Sequence, residues 1–280
     1  MSNPKIRPAV KWAGGQFYNL PYLLPKLHKG MELLGPEHVY CEAYGGMASL
    51  LLNKNPSPVE VYNDINPRLY RFFRVLRERP EEFRRKLTLT PYSRKEFDER
   101  DEEACTDELE LARRDFVMWR QSFGGQGDGW SRSLSRSRRG MADVVSGYLS
   151  AIDENLPLVI NRFRTVQLEH LPTRKMIQEY AAANVIWYFD PPFFSKARKS
   201  TGKLYEFQMA EEPGETEEEA HRNLGELLRT IPGLWMLSGY NHPLYEEIYQ
   251  GFPMESAEVA NHQAGGNVKS VMTPCIWSNF

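Results

Sequence analysis

A run of apolar and aromatic residues, Val185 to Phe189, ends abruptly at Asp190-Pro191-Pro192-Phe193-Phe194. Such a run, bounded by turn residues, reads as a buried strand. Two prolines cannot donate to a sheet ladder, so the chain must leave the strand at the acid and turn. An acid at the carboxyl end of a strand, then a rigid turn carrying an aromatic, is where open α/β sheets place ligands. Asp190 and the Pro191 carbonyl offer two adjacent acceptors. They suit an exocyclic amine of a nucleobase, whose lone pair is delocalised into the ring unless both N–H groups are held. Phe193 offers a face on which a base taken out of its duplex can stack. A plain strand ending in an exposed acid fits the same residues, and alone the pattern leaves both open.

Length and composition set the limits. At 280 residues the chain can bury a full core with an inserted lobe. Hydrophobic content of 41% and charged content of 26% are those of an ordinary globular protein. With a formal net charge of -2, any basic surface for nucleic acid has to be local. Cys41, Cys105 and Cys275 are scattered, without a CxxC or Cys/His pattern, so neither a disulfide framework nor a zinc site is expected, and no metal. The first residues lack an apolar signal region, and no run reaches membrane-spanning length. A cytoplasmic location without membrane contact is therefore expected.

Three further stretches precede the Asp-Pro-Pro turn. Lys11-Trp12-Ala13-Gly14-Gly15-Gln16 reads as a tight loop, with a helix following through Leu24. Val39 to Tyr44 reads as a strand, with Gly45-Gly46 as a turn and Met47 to Leu52 as a helix, a cradle suited to an adenosyl or phosphate-bearing ligand. The spacing is not GxGxxG, which excludes a nicotinamide oxidoreductase. About twenty residues on, Val59 to Asn66 forms a second strand ending at Asp64, at the spacing of an acid that accepts ribose hydroxyls. Asn66 before Pro67 also reads as a helix start.

From Arg68 to about Thr165 the pattern turns helical. Arg68 to Leu87 has helical spacing, and Leu109, Ala112, Phe116, Trp119 and Phe123 lie along one face of another helix. The acidic run Glu96 to Glu110 reads as a solvated face. Residues 120–140 combine glycines, serines and one Trp with many arginines. A loop of that composition can follow a phosphate backbone while Arg reads guanine edges. The closing region shows strands at Thr165 to Leu168, Leu234 to Ser238 and Val271 to Trp277, and helices at Pro172 to Tyr180 and Pro243 to Tyr249. His221 sits on an apolar stripe with Leu224, Leu227 and Leu228, a structural position.

Taken in order, these motifs resemble the DNA amino-methyltransferases, whose signature is [D/N/S]-P-P-[Y/F/W], and within them the Dam-like adenine-N6 enzymes of bacteria and phages. Lys11 to Gln16 is similar to the family's KW(A/H)GGK, with Gln16 where Lys is usual. Glu42, Tyr44 and Gly46 match (D/E)-P-F-x-G-x-G, with Ala43 for the Pro and Ala48 for the last Gly. Asn63-Asp64-Ile65-Asn66 resembles N-D-(I/L)-N, Ser238-Gly239-Tyr240 resembles L-S-G-Y, and the ending at Phe280 resembles T-E-x-(L/I)-W-x-N-F. Arg120-Gln121-Ser122-Phe123 and Arg138-Arg139-Gly140-Met141 resemble phage-type members.

The resemblance implies a doubly wound α/β, Rossmann-like methyltransferase core over 1–67 and 165–280, with a helical target-recognition insert over 68–164. It implies a donor, S-adenosyl-L-methionine, bound by Lys11, Trp12, Gly14, Gly15, Gln16, Glu42, Ala43, Tyr44, Gly45, Gly46, Asp64 and Asp190. Asp190, Pro191, Pro192 and Phe193 become the catalytic turn. Arg120, Gln126, Trp130, Arg132, Arg136, Arg138, Arg139, Lys196, Arg198 and Lys199 are expected at double-stranded DNA. A monomer or weak dimer is expected, with a cognate restriction endonuclease as partner if the enzyme serves restriction–modification. The rival readings are a cytosine-N4 or RNA amino-methyltransferase and a DNA-binding homologue without activity.

Overall fold

The computed structural model describes residues 5–101, 104–197, 209, 214–260 and 271–280. Its helices are α1 (Leu20–Leu34), α2 (Ser49–Asn53), α3 (Pro67–Glu78), α4 (Pro80–Thr88), α5 (Arg94–Asp98), α6 (Glu108–Gln121), α7 (Asp143–Ser150), α8 (Leu156–Phe163), α9 (Thr173–Tyr180), α10 (Glu217–Thr230) and α11 (Pro243–Ile248). Its strands are β1 (Val39–Glu42), β2 (Val59–Asn63), β3 (Gln167–Glu169), β4 (Val185–Phe189), β5 (Leu234–Tyr240), β6 (Met254–Ser256), β7 (Val259–Ala260), β8 (Val271–Met272) and β9 (Pro274–Ser278). Two compact units divide the chain. One comprises Tyr18–Gly45, Asn53–Asn66 and Gln167–Phe280; the other comprises Met1–Phe17, Gly46–Leu52 and Pro67–Val166.

The first unit is built on a seven-stranded sheet in the order β3-β2-β1-β4-β5-β9-β6, and β7 pairs with β8 separately. Strands β3, β2, β1, β4 and β5 are parallel, while β9 runs antiparallel to both β5 and β6. The strand order reverses between β1 and β4, which makes this the doubly wound α/β fold expected from the motif order. Every residue of β4 is buried, as a central parallel strand covered on both faces requires.

Side chains alternate along each strand, so the two faces can be read off. Cys41, Val61, Trp187, Phe189, Trp235 and Leu237 pack with α9, α10 and α11 in one apolar core. The opposite face carries Tyr40, Glu42, Tyr62, Ile186 and Tyr188. There α1 approaches so closely that a Cβ on Gly30 would lie 2.4 Å from Ile186 Cδ1. Helix α1 runs ten residues past the expected end at Leu24, although Pro25 lies inside it. One lost backbone bond at Pro25 is outweighed by burial of Leu23, Leu27, Gly30 and Met31 along that face.

At the amino-terminal edge of the same face, the Lys54 ammonium is buried against the Glu60 carboxylate. It also donates to the Asn55 carbonyl at 3.0 Å and Ser57 Oγ at 2.8 Å, and sits 4.3 Å above the Tyr40 ring. Lys54→Met removes one partner of a buried pair. It is expected to cost about 3–5 kcal/mol of stability, read as a lower denaturation midpoint; an unchanged midpoint would mean that the pair is hydrated.

The second unit is helical. Phe72 and Phe73 of α3, Phe83 of α4, Phe116 and Trp119 of α6 and Phe163 of α8 form an aromatic core, with Phe73 and Phe163 stacked at 4.1 Å. Three expectations need correction here. The helix expected over Arg68 to Leu87 breaks at Arg79, because Pro80 pushes its predecessor out of the α region, to φ -135° and ψ 48°. Phe123 does not continue the buried stripe of Leu109, Ala112, Phe116 and Trp119; α6 ends at Gln121 and Phe123 is exposed. Glu110 is not part of a solvated face. Burial raises its pKa, but hydrogen bonds from Arg113, Lys86 and Arg114 outweigh that and hold the carboxyl down at about 2.

Candidate active site

The carboxyl ends of β1, β2, β4 and β5 bring several of the expected residues together within the sheet unit. Glu42 ends β1, Asp64 follows β2, Asp190 follows β4 and Tyr240 ends β5. Glu42 is level with Tyr62 on one side and Tyr188 on the other. The strand ends thus repeat a local pattern, Tyr40-x-Glu42, Tyr62-x-Asp64 and Tyr188-x-Asp190, and within β1 alternation puts Tyr40 and Glu42 on the same face.

Electrostatics mark the same cluster. Burial raises the Tyr62 hydroxyl well above its ordinary pKa, and Asp64 and Glu42 add to the shift. Burial does the same to Tyr188, reinforced by Asp190 and Glu42 and opposed by its bond with Ser238. Tyr240 is pushed up to about 12 by burial and by Asp190. The tyrosines therefore remain neutral hydrogen-bonding groups beneath the acids. Tyr40 donates to Glu42 Oε2 at 3.1 Å, and the Tyr188 hydroxyl pairs with Ser238 Oγ at 2.8 Å. Phe193 is buried and meets the Tyr240 ring edge-on at 4.9 Å.

The turn after β1 is held by a residue the motif reading did not single out. Asn63 Nδ2 donates to the Ala43 carbonyl at 2.9 Å and to the Leu171 carbonyl at 3.1 Å, and its Oδ1 accepts from Leu171 N at 2.8 Å. The Asn63 carbonyl accepts from Gly45 N at 2.8 Å, and Ala43 N donates to the Tyr188 carbonyl at 3.1 Å. Gly45 has to be glycine, because a Cβ there would lie 2.1 Å from Tyr62 Cε2. Asp64 Oδ1 accepts from Asn66 N at 2.8 Å, so the acid itself shapes the turn that starts α3. His170 Nδ1 lies 2.8 Å from the Asp64 carbonyl. Tyr44 lies beside Phe189, with its hydroxyl 3.6 Å from Met209 Sδ.

The remaining expected donor residues, Lys11, Trp12, Gly14, Gly15, Gln16 and Gly46, belong to the helical unit. Residues 12–15 form a turn closed by Gly15 N donating to the Trp12 carbonyl at 3.2 Å. Trp12 packs edge-on against Trp119 at 5.8 Å. Gly46 has φ 48°, and a Cβ there would come 3.0 Å from Trp12 Nε1. Gln16 is buried. Burial and the neighbouring Arg120 lower the Lys11 pKa, partly offset by Asp143. Ala48, where the family pattern has glycine, carries φ 55°. A left-handed alanine costs about 1–2 kcal/mol. After the extra unfolded-state entropy of glycine is subtracted, Ala48→Gly is expected to raise stability by about 1 kcal/mol. A lower denaturation midpoint would show that packing of the buried methyl outweighs the strain.

The residues expected at DNA separate by exposure. Arg132, Arg136, Arg138 and Arg139 are exposed, as are Gln126 and Lys196; Arg139 pairs with Glu154. Leu134, between these arginines, is fully exposed and was not among the expected residues. Arg120 and Trp130 are tied inward instead. Arg120 donates to the Gly147 carbonyl, and burial pushes its pKa down to about 10. Trp130 Nε1 donates to Gln121 Oε1 at 3.3 Å, and its ring lies under the Arg94 guanidinium at 4.7 Å. Arg198 and Lys199 lie outside the described residues. Among the described residues no cluster of three or more His, Cys, Asp or Glu could hold a metal, and no helix is long and apolar enough to cross a membrane.

No family model and no curated protein matches the chain. Among solved structures, a precorrin-6y C5,15-methyltransferase from Geobacter metallireducens is similar over 90% of this chain and 85% of that one, at 11% identity and a TM-score of 0.34. A likeness that remote says nothing about activity.

Proposed function

We propose that the protein is an S-adenosylmethionine-dependent methyltransferase acting on the N6 amine of adenine in double-stranded DNA. The observation that carries this reading is the Asp190-Pro191-Pro192-Phe193 turn at the end of β4, with Glu42 on the adjacent β1. The strand order reverses between those two strands, and that is where doubly wound sheets take ligands. The donor set suits the proposed group: carboxylates at adjacent strand ends can take ribose hydroxyls and face the positive charge of a sulfonium. The donor supplies an electrophilic methyl group and leaves as a neutral thioether.

The chain's own residues do the rest. Asp190 and the Pro191 carbonyl accept the two N–H bonds of the amine and turn its lone pair toward the methyl carbon. A nitrogen–carbon bond forms as the carbon–sulfur bond breaks, and the amine proton is lost toward Asp190 or water. Phe193 stacks the base, and Asp64 and Glu42 hold the donor. The catalytic gain comes from position and from stabilising charge on the amine. Tyr40, kept neutral by burial, donates to Glu42 and holds that acid in place.

Contact with DNA is assigned to Arg132, Arg136, Arg138 and Arg139 on charge and exposure. Replacing Arg136, Arg138 and Arg139 with Ala is expected to weaken binding and to flatten the dependence of log affinity on log salt by about 0.9 per lost phosphate contact. An unchanged slope would remove this loop from the interface. The donor assignment is tested by calorimetric titration with S-adenosylmethionine. Saturable heat with one site per chain is expected; no heat would favour a DNA-binding protein without activity, a reading motivated by Gln16, Ala43 and Ala48.

A further inference from the structure

Pro191 and Pro192 have no N–H, so the turn that follows Asp190 cannot be tied down by its own backbone donors until Phe193. The next donor is firmly held. Phe194 N donates to the Tyr245 hydroxyl at 2.8 Å, in a buried bond between the turn and α11. That hydroxyl also lies 3.4 Å from His221 Nε2, on α10. The Phe194 ring stands edge-on to His242 at 5.2 Å and to His221 at 5.8 Å. One residue on, Ser195 donates through its N–H at 2.8 Å and its hydroxyl at 2.6 Å to the Glu217 carboxylate, in the first turn of α10. Two helices thus clamp the exit of the turn, while β4 fixes its entrance.

We propose that Tyr245 is a positioning residue for the Asp190–Phe194 turn: its hydroxyl holds Asp190 and the Pro191 carbonyl in register for the amine without touching substrate or donor. This rests on the methyltransferase reading. Without the hydroxyl, the Phe194 N–H is left buried and unpaired, and the turn relaxes to find another acceptor. Relaxation at the reacting centre lowers turnover; donor affinity, set mainly by β1 and β2, stays.

The neighbourhood supplies a control. Tyr249 is also buried and packs on the same indole, Trp277, at 5.3 Å, as Tyr245 does at 5.7 Å. Its hydroxyl has no hydrogen-bond partner among the described residues. Tyr245→Phe and Tyr249→Phe therefore delete the same atom from similar surroundings, and only the first should release the turn.

The test compares both variants with the parent protein. In Tyr245→Phe, kcat on DNA is expected to fall about 10–100-fold while the calorimetric donor Kd stays within about twofold of the parent; Tyr249→Phe should keep parental turnover. The Phe194 amide should exchange slowly in the parent and at least about tenfold faster in Tyr245→Phe. Glu217→Ala, a surface change that releases Ser195, should lower kcat in the same direction and covers the case in which Tyr245→Phe does not fold. Parental turnover in Tyr245→Phe, an equal loss in Tyr249→Phe, or a fast-exchanging Phe194 amide in the parent would overturn the proposal. A parent that methylates no nucleic acid defeats the functional reading instead, and exchange at Phe194 still decides whether the hydroxyl holds the turn.

Discussion

Asp190→Ala is expected to lower methyl transfer at least about a hundredfold, the scale of losing one preorganised polar group at a reacting centre. Asp190 is the acid that follows β4, and the pKa of Tyr240, raised mainly by burial, registers its charge. Alanine removes one of the two acceptors proposed for the amine, and with it the negative charge that balances the developing positive nitrogen. DNA binding should persist, because the exposed arginines are untouched. Asp190→Asn keeps one acceptor oxygen without the charge and should fall between parent and alanine. In both variants the Tyr240 pKa should move down from about 12 toward the ordinary value, since the carboxylate that adds to burial is gone. Turnover like that of the parent in Asp190→Ala would refute the assignment of the turn.

Gly45→Ala is the second substitution with a large expected effect. The new methyl group would lie 2.1 Å from Tyr62 Cε2 and 2.5 Å from Cδ2, inside van der Waals contact. Tyr62 is wholly buried, so its ring cannot swing out. The turn must move instead, straining the Gly45 N bond to the Asn63 carbonyl. Overpacking of this kind costs about 1–3 kcal/mol. Because Glu42 leads directly into this turn, donor affinity should drop about tenfold or more, the equivalent of roughly 1.4 kcal/mol. Tyr62→Ala in the same chain opens the space, so the double variant should be less damaged than the sum of the singles. Donor affinity unchanged in Gly45→Ala would place the donor elsewhere.

Much of the sheet was legible because its strands carry the strongest kind of local signal. Val185 to Phe189 is β4 residue for residue, since an all-apolar run bounded by Asp-Pro-Pro admits few alternatives. β1 stops at Glu42, two residues short of the expected Tyr44, and β2 stops at Asn63, one residue before Asp64. The longer range was less visible. Asn63 joins Ala43 to Leu171 across more than a hundred residues, and in the sequence it is one polar residue before a more conspicuous acid. Tyr245 appears as another apolar position in a short helix; its value lies in a hydroxyl whose partner, Phe194 N, is 51 residues away. Arg120 looked like a surface cation because an arginine in a glycine-rich neighbourhood gives no sign of burial. Its guanidinium is spent on the Gly147 carbonyl. The break at Pro80, by contrast, was readable from the proline alone and was masked by the helical spacing on either side. Pro25 shows the opposite outcome, a proline tolerated because the buried face of α1 continues beyond it.

Methyl transfer to adenine is read out by methyl incorporation into DNA. Purified protein is incubated with unmethylated genomic DNA and S-adenosylmethionine labelled in the methyl group, and the DNA is digested to nucleosides. The account predicts label in N6-methyl-2′-deoxyadenosine, reduced at least about a hundredfold in Asp190→Ala. Label in N4-methyl-2′-deoxycytidine would keep the chemistry of the turn and contradict the choice of base. No label, together with no heat on titration with the donor, would contradict the account itself.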